Sequence, residues 1–149
     1  MPRTTWRIIQ SPPAVGAWNM AVDEAILDAV NANQAPPTLR LYAWQPACLS
    51  LGYAQPSADA DLDAIILRGW TLVRRPTGGR AILHTDELTY SVIGPTTDPR
   101  LAGGVLESYR RLSQALLQAL VLLGVPAQAD KEYAKLPSAS PNGPVCFEV

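Results

Sequence analysis

At 149 residues, 48% of them apolar and with a formal net charge of −1, the chain can bury a real hydrophobic core and is expected to be one ordinary domain or part of one. A charge this close to zero gives no electrostatic footprint for nucleic acid or a membrane surface, and two cysteines with one histidine supply neither a disulfide scaffold nor a metal-ligand spacing. No apolar run reaches the ~20 residues of a membrane helix and the N-terminal Met-Pro-Arg-Thr-Thr-Trp lacks a signal-peptide core, so a cytoplasmic chain with two free thiols is expected.

In chain order, residues 6–10 read as a short strand broken by Ser11-Pro12-Pro13. From Asn19 the apolar positions Met20, Val22, Ala25, Ile26, Ala29 and Val30 recur at helical spacing. Asn19 is the expected N-cap, Asp23 and Glu24 lie towards the favourable end of the dipole, and the end falls near 31–34. After Pro36-Pro37, residues 38–44 alternate as a strand, with Leu39, Leu41 and Ala43 on one face and Arg40, Tyr42 and Trp44 on the other. Gln45-Pro46 then turns the chain into a second strand over 47–53. Cys48 lies inside that apolar strand and reads as a buried, inert thiol. Ser57 is the expected N-cap of a helix over 58–68, whose acidic start (Asp59, Asp61, Asp63) and basic end (Arg68) suit the dipole, and Gly69 stops it.

The most informative stretch runs from Val73 to Val92. An apolar segment (Trp70, Leu72, Val73) meets Arg74 and Arg75, Pro76 pre-sets a turn, and Gly78 and Gly79 let the backbone bend and approach a ligand closely. Ala81, Ile82 and Leu83 lead to His84, the only histidine, and a third strand candidate covers 88–93. Turn chemistry alone describes a plain hairpin with solvated charges. The functional alternative is backbone N–H groups beside fixed positive charge, suited to a carboxyl, carbonyl or phosphate oxygen. The loop fits neither a Walker A nor a dinucleotide-binding glycine pattern.

Past the loop 94–99, Leu106, Tyr109, Leu112, Leu116, Leu120 and Leu123 recur every three or four residues up to Gly124, predicting a long helix whose leucine stripe faces a core and whose Arg110 and Arg111 are solvated. Residues 126–149 lack periodicity and are expected to form a loop carrying Cys146 beyond an ordered core of 1–125.

The string Arg74-Arg75-Pro76-Thr77-Gly78-Gly79-Arg80-Ala81-Ile82-Leu83-His84 closely resembles the signature of the biotin/lipoate protein ligase and octanoyltransferase superfamily. Asn19-Met20-Ala21-Val22-Asp23-Glu24-Ala25, Arg40-Leu41-Tyr42, Ser50-Leu51-Gly52-Tyr53-Ala54-Gln55, Glu87-Leu88-Thr89-Tyr90-Ser91-Val92 and Cys146-Phe147-Glu148 fall in the order and rough spacing of one branch, the LipM-type octanoyltransferases.

The resemblance implies an α+β fold with a mixed, largely antiparallel sheet flanked by helices. It implies a reaction in which Cys146 takes octanoyl from octanoyl-acyl carrier protein as a thioester and passes it to a lysine of a lipoyl domain, of the glycine cleavage H protein or a 2-oxoacid dehydrogenase E2. Implied for substrate binding are Tyr42, Gly52, Arg74, Arg75, Thr77, Gly78, Gly79, Arg80 and His84. No cofactor, metal, nucleic acid or membrane is implied. His84 would border the reacting carbonyl, although the residues alone equally describe an imidazole satisfied at a strand end.

An ATP-dependent lipoate ligase is the rival reading. Those enzymes usually carry a third glycine where Arg80 stands and do not need the cysteine, so Arg80 with Cys146-Phe147 favours the transferase. Family members continue past the Cys-Phe segment into a Gly-x-Lys-x-x-Gly-Ser-Ala-Gln-like motif. The sequence stops at Val149 before it, and Lys131 and Lys135 do not match, so an N-terminal portion or one half of a split enzyme is expected. A non-catalytic acyl- or lipoyl-domain-binding half is a further alternative. A cysteine hydrolase pairing Cys146 with His84 lacks any signature.

Overall fold

The structure, a computed structural model, describes residues 5–128, which fall into two compact units, 5–93 and 94–128. Cys146, Lys131, Lys135 and the loop expected beyond 128 lie outside the described residues.

The first unit begins with strand β1 (Arg7–Gln10) and helix α1 (Gly16–Asn31). The helix starts one turn earlier than its apolar period suggests, because Asn19 is not its cap. Val15 occupies the cap position without a side-chain bond, and Asn19 is fully buried, its amide donating to the carbonyls of Ala14 (3.2 Å) and Ala43 (2.9 Å). Strand β2 (Thr38–Tyr42) pairs with β1 in parallel and strand β3 (Cys48–Leu51) follows. The face of β2 that goes inside is the polar one, Thr38, Arg40 and Tyr42, while Leu39 and Leu41 are half-buried.

A short 3-10 turn (Ser57–Asp59) separates β3 from helix α2 (Leu62–Leu67). The cap of α2 is Asp61, whose carboxylate accepts the Ala64 N–H at 2.9 Å, rather than Ser57. Ser57 and Asp61 are both good capping residues, and only the second is followed by continuous helix. The helix ends at Gly69, in the left-handed region at φ 67°, where a side chain would be strained.

Strands β4 (Thr71–Arg74), β5 (Ile82–His84) and β6 (Thr89–Ile93) complete the unit. β6 pairs antiparallel with β2, giving the order β1-β2-β6. In the other sheet the order is β4-β3-β5, with β4 parallel and β5 antiparallel to β3. The expected α+β class with mixed sheets flanked by helices is therefore what the chain adopts. The hairpin alternative for the glycine stretch fails: β4 and β5 do not pair, because β3 lies between them. Residues 75–81 instead arch over the end of β3. Met20, Tyr42, Trp44 and Cys48, with Val73 against them, form the apolar core of this unit.

In the second unit, helix α3 (Val105–Leu122) opens with the Glu107 carboxylate accepting the Gly104 N–H at 2.8 Å and closes at Gly124, as its period predicts. Its leucine stripe differs from expectation, since none of its residues is buried. A 3.6-residue apolar period specifies which face can pack, not whether a facing element is there. No helix among the described residues is long and apolar enough to cross a membrane.

Candidate active site

The site grows from the arch over β3. Gly52 follows β3 directly, and a Cβ there would land on the carbonyl oxygen of Gly79 and within 2.8 Å of its carbonyl carbon. Only glycine lets the two backbones meet, and Gly79 takes φ 91° at the contact. The Tyr53 N–H donates to the Thr77 carbonyl at 2.9 Å, so the segments 52–55 and 77–79 are docked along their backbones.

The two arginines fix this junction. Arg74 Nη1 donates to the carbonyls of Gly52 (2.7 Å), Tyr53 (3.1 Å) and Gln55 (2.6 Å). Arg75 Nη2 donates to those of Gly78 (2.9 Å) and Arg80 (2.6 Å), and its Nη1 reaches the Ser50 carbonyl (2.9 Å) and hydroxyl (3.1 Å). Loop carbonyls thus face guanidinium groups. Among the described residues, neither the Gly78 nor the Gly79 N–H has a hydrogen-bond partner. Thr77, Gly78 and Arg80 are exposed and Gly79 half-buried.

Beneath the arch, at the end of β5, His84 is buried. Its Nε2 is 2.8 Å from Ser50 Oγ and its Nδ1 is 2.6 Å from Glu87 Oε1. Trp44 stacks on the imidazole, with centroids 3.9 Å apart and planes 10° from parallel, and its Nε1 donates to the Thr89 hydroxyl at 2.7 Å. That hydroxyl donates in turn to Glu87 Oε1, also at 2.7 Å. Ser50 is fully buried, and the β3–β5 register sets Cys48 opposite His84 and Ser50 opposite Ile82.

Tyr42 belongs to a different network. Its hydroxyl donates to Asp23 Oδ2 at 3.1 Å. The Arg40 guanidinium sits 4.1 Å over its ring and is itself fully buried, pairing with Asp23 Oδ1 at 2.8 Å and donating to Asn19 Oδ1 at 2.8 Å. The Ser91 hydroxyl adds a bond of 2.9 Å to Asp23 Oδ1. Burial, with the Asp23 charge and hydrogen bond beside it, pushes the Tyr42 phenol far above its ordinary value. This network ties α1 to β2 and β6. Its link to the arch runs through the rings, Tyr42 lying 5.6 Å from Trp44.

Cys48 is buried in the core as expected, and burial pushes its thiol up, which makes it a poor nucleophile. Of the implied substrate-binding residues, the structure brings Gly52, Arg74, Arg75, Thr77, Gly78, Gly79 and Arg80 together at the end of β3, and His84, opposite Cys48, is linked to them through Ser50 and Arg75. Tyr42 stands apart with Asp23, and Cys146 lies outside the described residues. Sequence reasoning assigned no role to Ser50, Glu87, Trp44 or Thr89. Three of these stood inside the quoted Ser50–Gln55 and Glu87–Val92 strings, so the available signal was a polar side chain at a fixed place in a strand-like segment. Among the described residues, no group of three or more His, Cys, Asp or Glu side chains could hold a metal ion.

Residues 16–136 match the model of the lipoyl protein ligase A/B catalytic domain. The chain belongs to that family. The octanoyltransferase LipM of Kyrpidia tusciae is 44% identical over 147 residues, covering 97% of this chain and 54% of that protein. That of Moorella thermoacetica is 48% identical over 129 residues, covering 86% and 47%. The chain thus spans about half the length of these lipoyl-ligase-family relatives. Among solved structures, the bi-partite lipoate protein ligase of Thermoplasma acidophilum, described with its E2 lipoyl domain, superposes with a TM-score of 0.73 at 26% identity, over 87% of this chain and 49% of that one.

Proposed function

We propose that this chain serves octanoyl transfer in protein lipoylation. Octanoyl-acyl carrier protein is the donor, Cys146 the acceptor of a transient thioester, and a lysine of a lipoyl domain, in a glycine cleavage H protein or a 2-oxoacid dehydrogenase E2, the final acceptor. The observation that carries the reading is the pair of N–H groups of Gly78 and Gly79, without a partner among the described residues and held on a loop whose Gly78 and Arg80 carbonyls are turned to Arg75. Such a pair suits the oxyanion of an acyl-transfer intermediate.

In the first step the Cys146 thiolate attacks the thioester carbonyl, its sulfur bonds the acyl carbon as the bond from that carbon to the carrier's sulfur breaks, and the carrier leaves as a thiolate. In the second step the lysine amine attacks the acyl-cysteine, an amide forms, and Cys146 leaves as the thiolate and takes a proton from the amine. Thioester exchange is nearly isoenergetic, so no nucleotide is consumed. The likeness to lipoate ligases supports one competing reading, acyl activation with ATP.

The test is the intact mass of the chain after mixing with octanoyl-acyl carrier protein without ATP, beside Cys146→Ser. A single octanoyl adduct that is absent from Cys146→Ser is the expected result. An adduct that persists in Cys146→Ser overturns the role of Cys146. Acylation of a lipoyl domain only with free acid and ATP establishes the ligase instead. Binding of a lipoyl domain with no acylation under either condition establishes a non-catalytic binding half.

A further inference from the structure

The sole histidine sits where two hydrogen-bond chains end on one carboxylate oxygen. A guanidinium only donates and a carboxylate only accepts, which fixes the two end links of the first chain, and a single ring proton on the imidazole then sets the middle one. Arg75 Nη1 donates to Ser50 Oγ (3.1 Å), the Ser50 hydroxyl donates to His84 Nε2 (2.8 Å), and His84 Nδ1–H donates to Glu87 Oε1 (2.6 Å). The second chain runs from Trp44 Nε1–H to the Thr89 hydroxyl and on to the same oxygen, each step 2.7 Å. With a single ring proton, the imidazole carries it on Nδ1 and presents Nε2 as an acceptor, and the stacked Trp44 ring holds its plane.

The order Ser50, His84, Glu87 is that of a serine-hydrolase triad, yet this is not a second nucleophile. Ser50 is fully buried and its oxygen already receives an Arg75 proton. The same Arg75 is what grips the Gly78 and Arg80 carbonyls. Glu87, just before strand β6 and with its side chain 36% exposed, is thus the outermost member of a hydrogen-bonded line that runs to the arch.

We propose that Glu87 is a positioning residue: by accepting from His84 and Thr89 it fixes the proton arrangement of His84 and, through Ser50 and Arg75, the conformation of the 77–79 turn. Its effect on acyl transfer rests on the octanoyl-transfer reading, whereas its effect on His84 does not. The untagged chain holds one histidine, so a long-range proton–nitrogen spectrum of histidine-labelled protein reads this ring alone.

The wild type is expected to show the Nδ1–H tautomer, Glu87→Gln to keep it through its amide oxygen, and Glu87→Leu to lose it. In Glu87→Leu, amide exchange at Tyr53, whose N–H donates to the Thr77 carbonyl of the turn, is expected to accelerate by about tenfold or more. An Nε2–H tautomer in the wild type, or an unchanged ring in Glu87→Leu, overturns the assignment. The wild-type spectrum alone can do so, even if Glu87→Leu fails to fold.

In parallel, the rate constant of octanoyl-cysteine formation is expected to fall by about tenfold in Glu87→Leu, with the KM for the carrier changed less than about twofold and much of the rate restored by Glu87→Gln. A switched tautomer with an unchanged rate overturns the positioning role. No adduct in the wild type refutes octanoyl transfer itself, and the ring spectra then decide the role of Glu87 at His84.

Discussion

Replacing Gly52 by alanine tests the junction on which the site is built. A Cβ at this position would overlap the Gly79 carbonyl oxygen and lie 2.8 Å from its carbon and 3.3 Å from the carbonyl carbon of Gly78. Non-bonded carbons rest at about 3.5–4.0 Å, so the 77–79 backbone has to retreat by roughly 1 Å. The obstacle is main chain, which no rotamer change removes. Overpacking of this kind costs about 1–3 kcal/mol. The retreat also pulls the Thr77 carbonyl away from the Tyr53 N–H, now 2.9 Å apart, a bond worth about 0.5–1.5 kcal/mol. The expected loss is therefore about 1.5–4.5 kcal/mol, a large part of the roughly 5–15 kcal/mol typical of a domain. Gly78→Ala is the matched control, because a Cβ there meets nothing within 4 Å and should change stability by less than about 0.5 kcal/mol. Urea midpoints of the two variants measure the difference. Amide shift changes in Gly52→Ala should centre on residues 77–79. Equal stability of the two variants would refute the docked-loop argument.

Arg40→Met should be more costly than its single charge suggests, since it strands the buried Asp23 carboxylate. A loss of about 3–5 kcal/mol is expected, with part of it recovered when Asp23→Leu is added. A urea midpoint showing less than about 1 kcal/mol lost in Arg40→Met would mean that the pair contributes nothing beyond packing. Alkaline pH offers an independent check. Cys48 and Tyr42 both have proton affinities raised by burial above their ordinary 9.0 and 10.0, so the folded chain keeps protons that the unfolded chain releases. Their contribution to stability is whole below pH 9.0, falls above it, and is lost as pH rises through the folded values. The urea midpoint should accordingly decline above pH 9.0, and less steeply in Cys48→Ala/Tyr42→Phe. A decline that both share equally would exclude these two groups as its source.

Particular elements show where sequence reading ran out. The alternation over β2 was legible, and its two faces were sorted correctly, but burial of the polar face depends on Asp23 arriving from α1 to meet Arg40. Asn19 and Ser57 both carry good capping chemistry. The first is instead engaged by Arg40 and two carbonyls, and the second yields to Asp61. Helix α3 kept its predicted span, whereas its leucine stripe lacks the burial that period alone suggested.

Turn chemistry, apolar period and a co-linear set of short strings are properties of residues close in the chain. They determined the element order, the glycine turn and family membership. Strand order and the partners of buried polar groups depend on contacts far apart in sequence. Only the tertiary structure could set β3 between β4 and β5, press Gly52 against Gly79, and align Ser50, His84 and Glu87 across 34 and three residues of chain. The physical reason is that a buried hydrogen bond or a close backbone contact selects its partner by position in space, and local preference records nothing of that position.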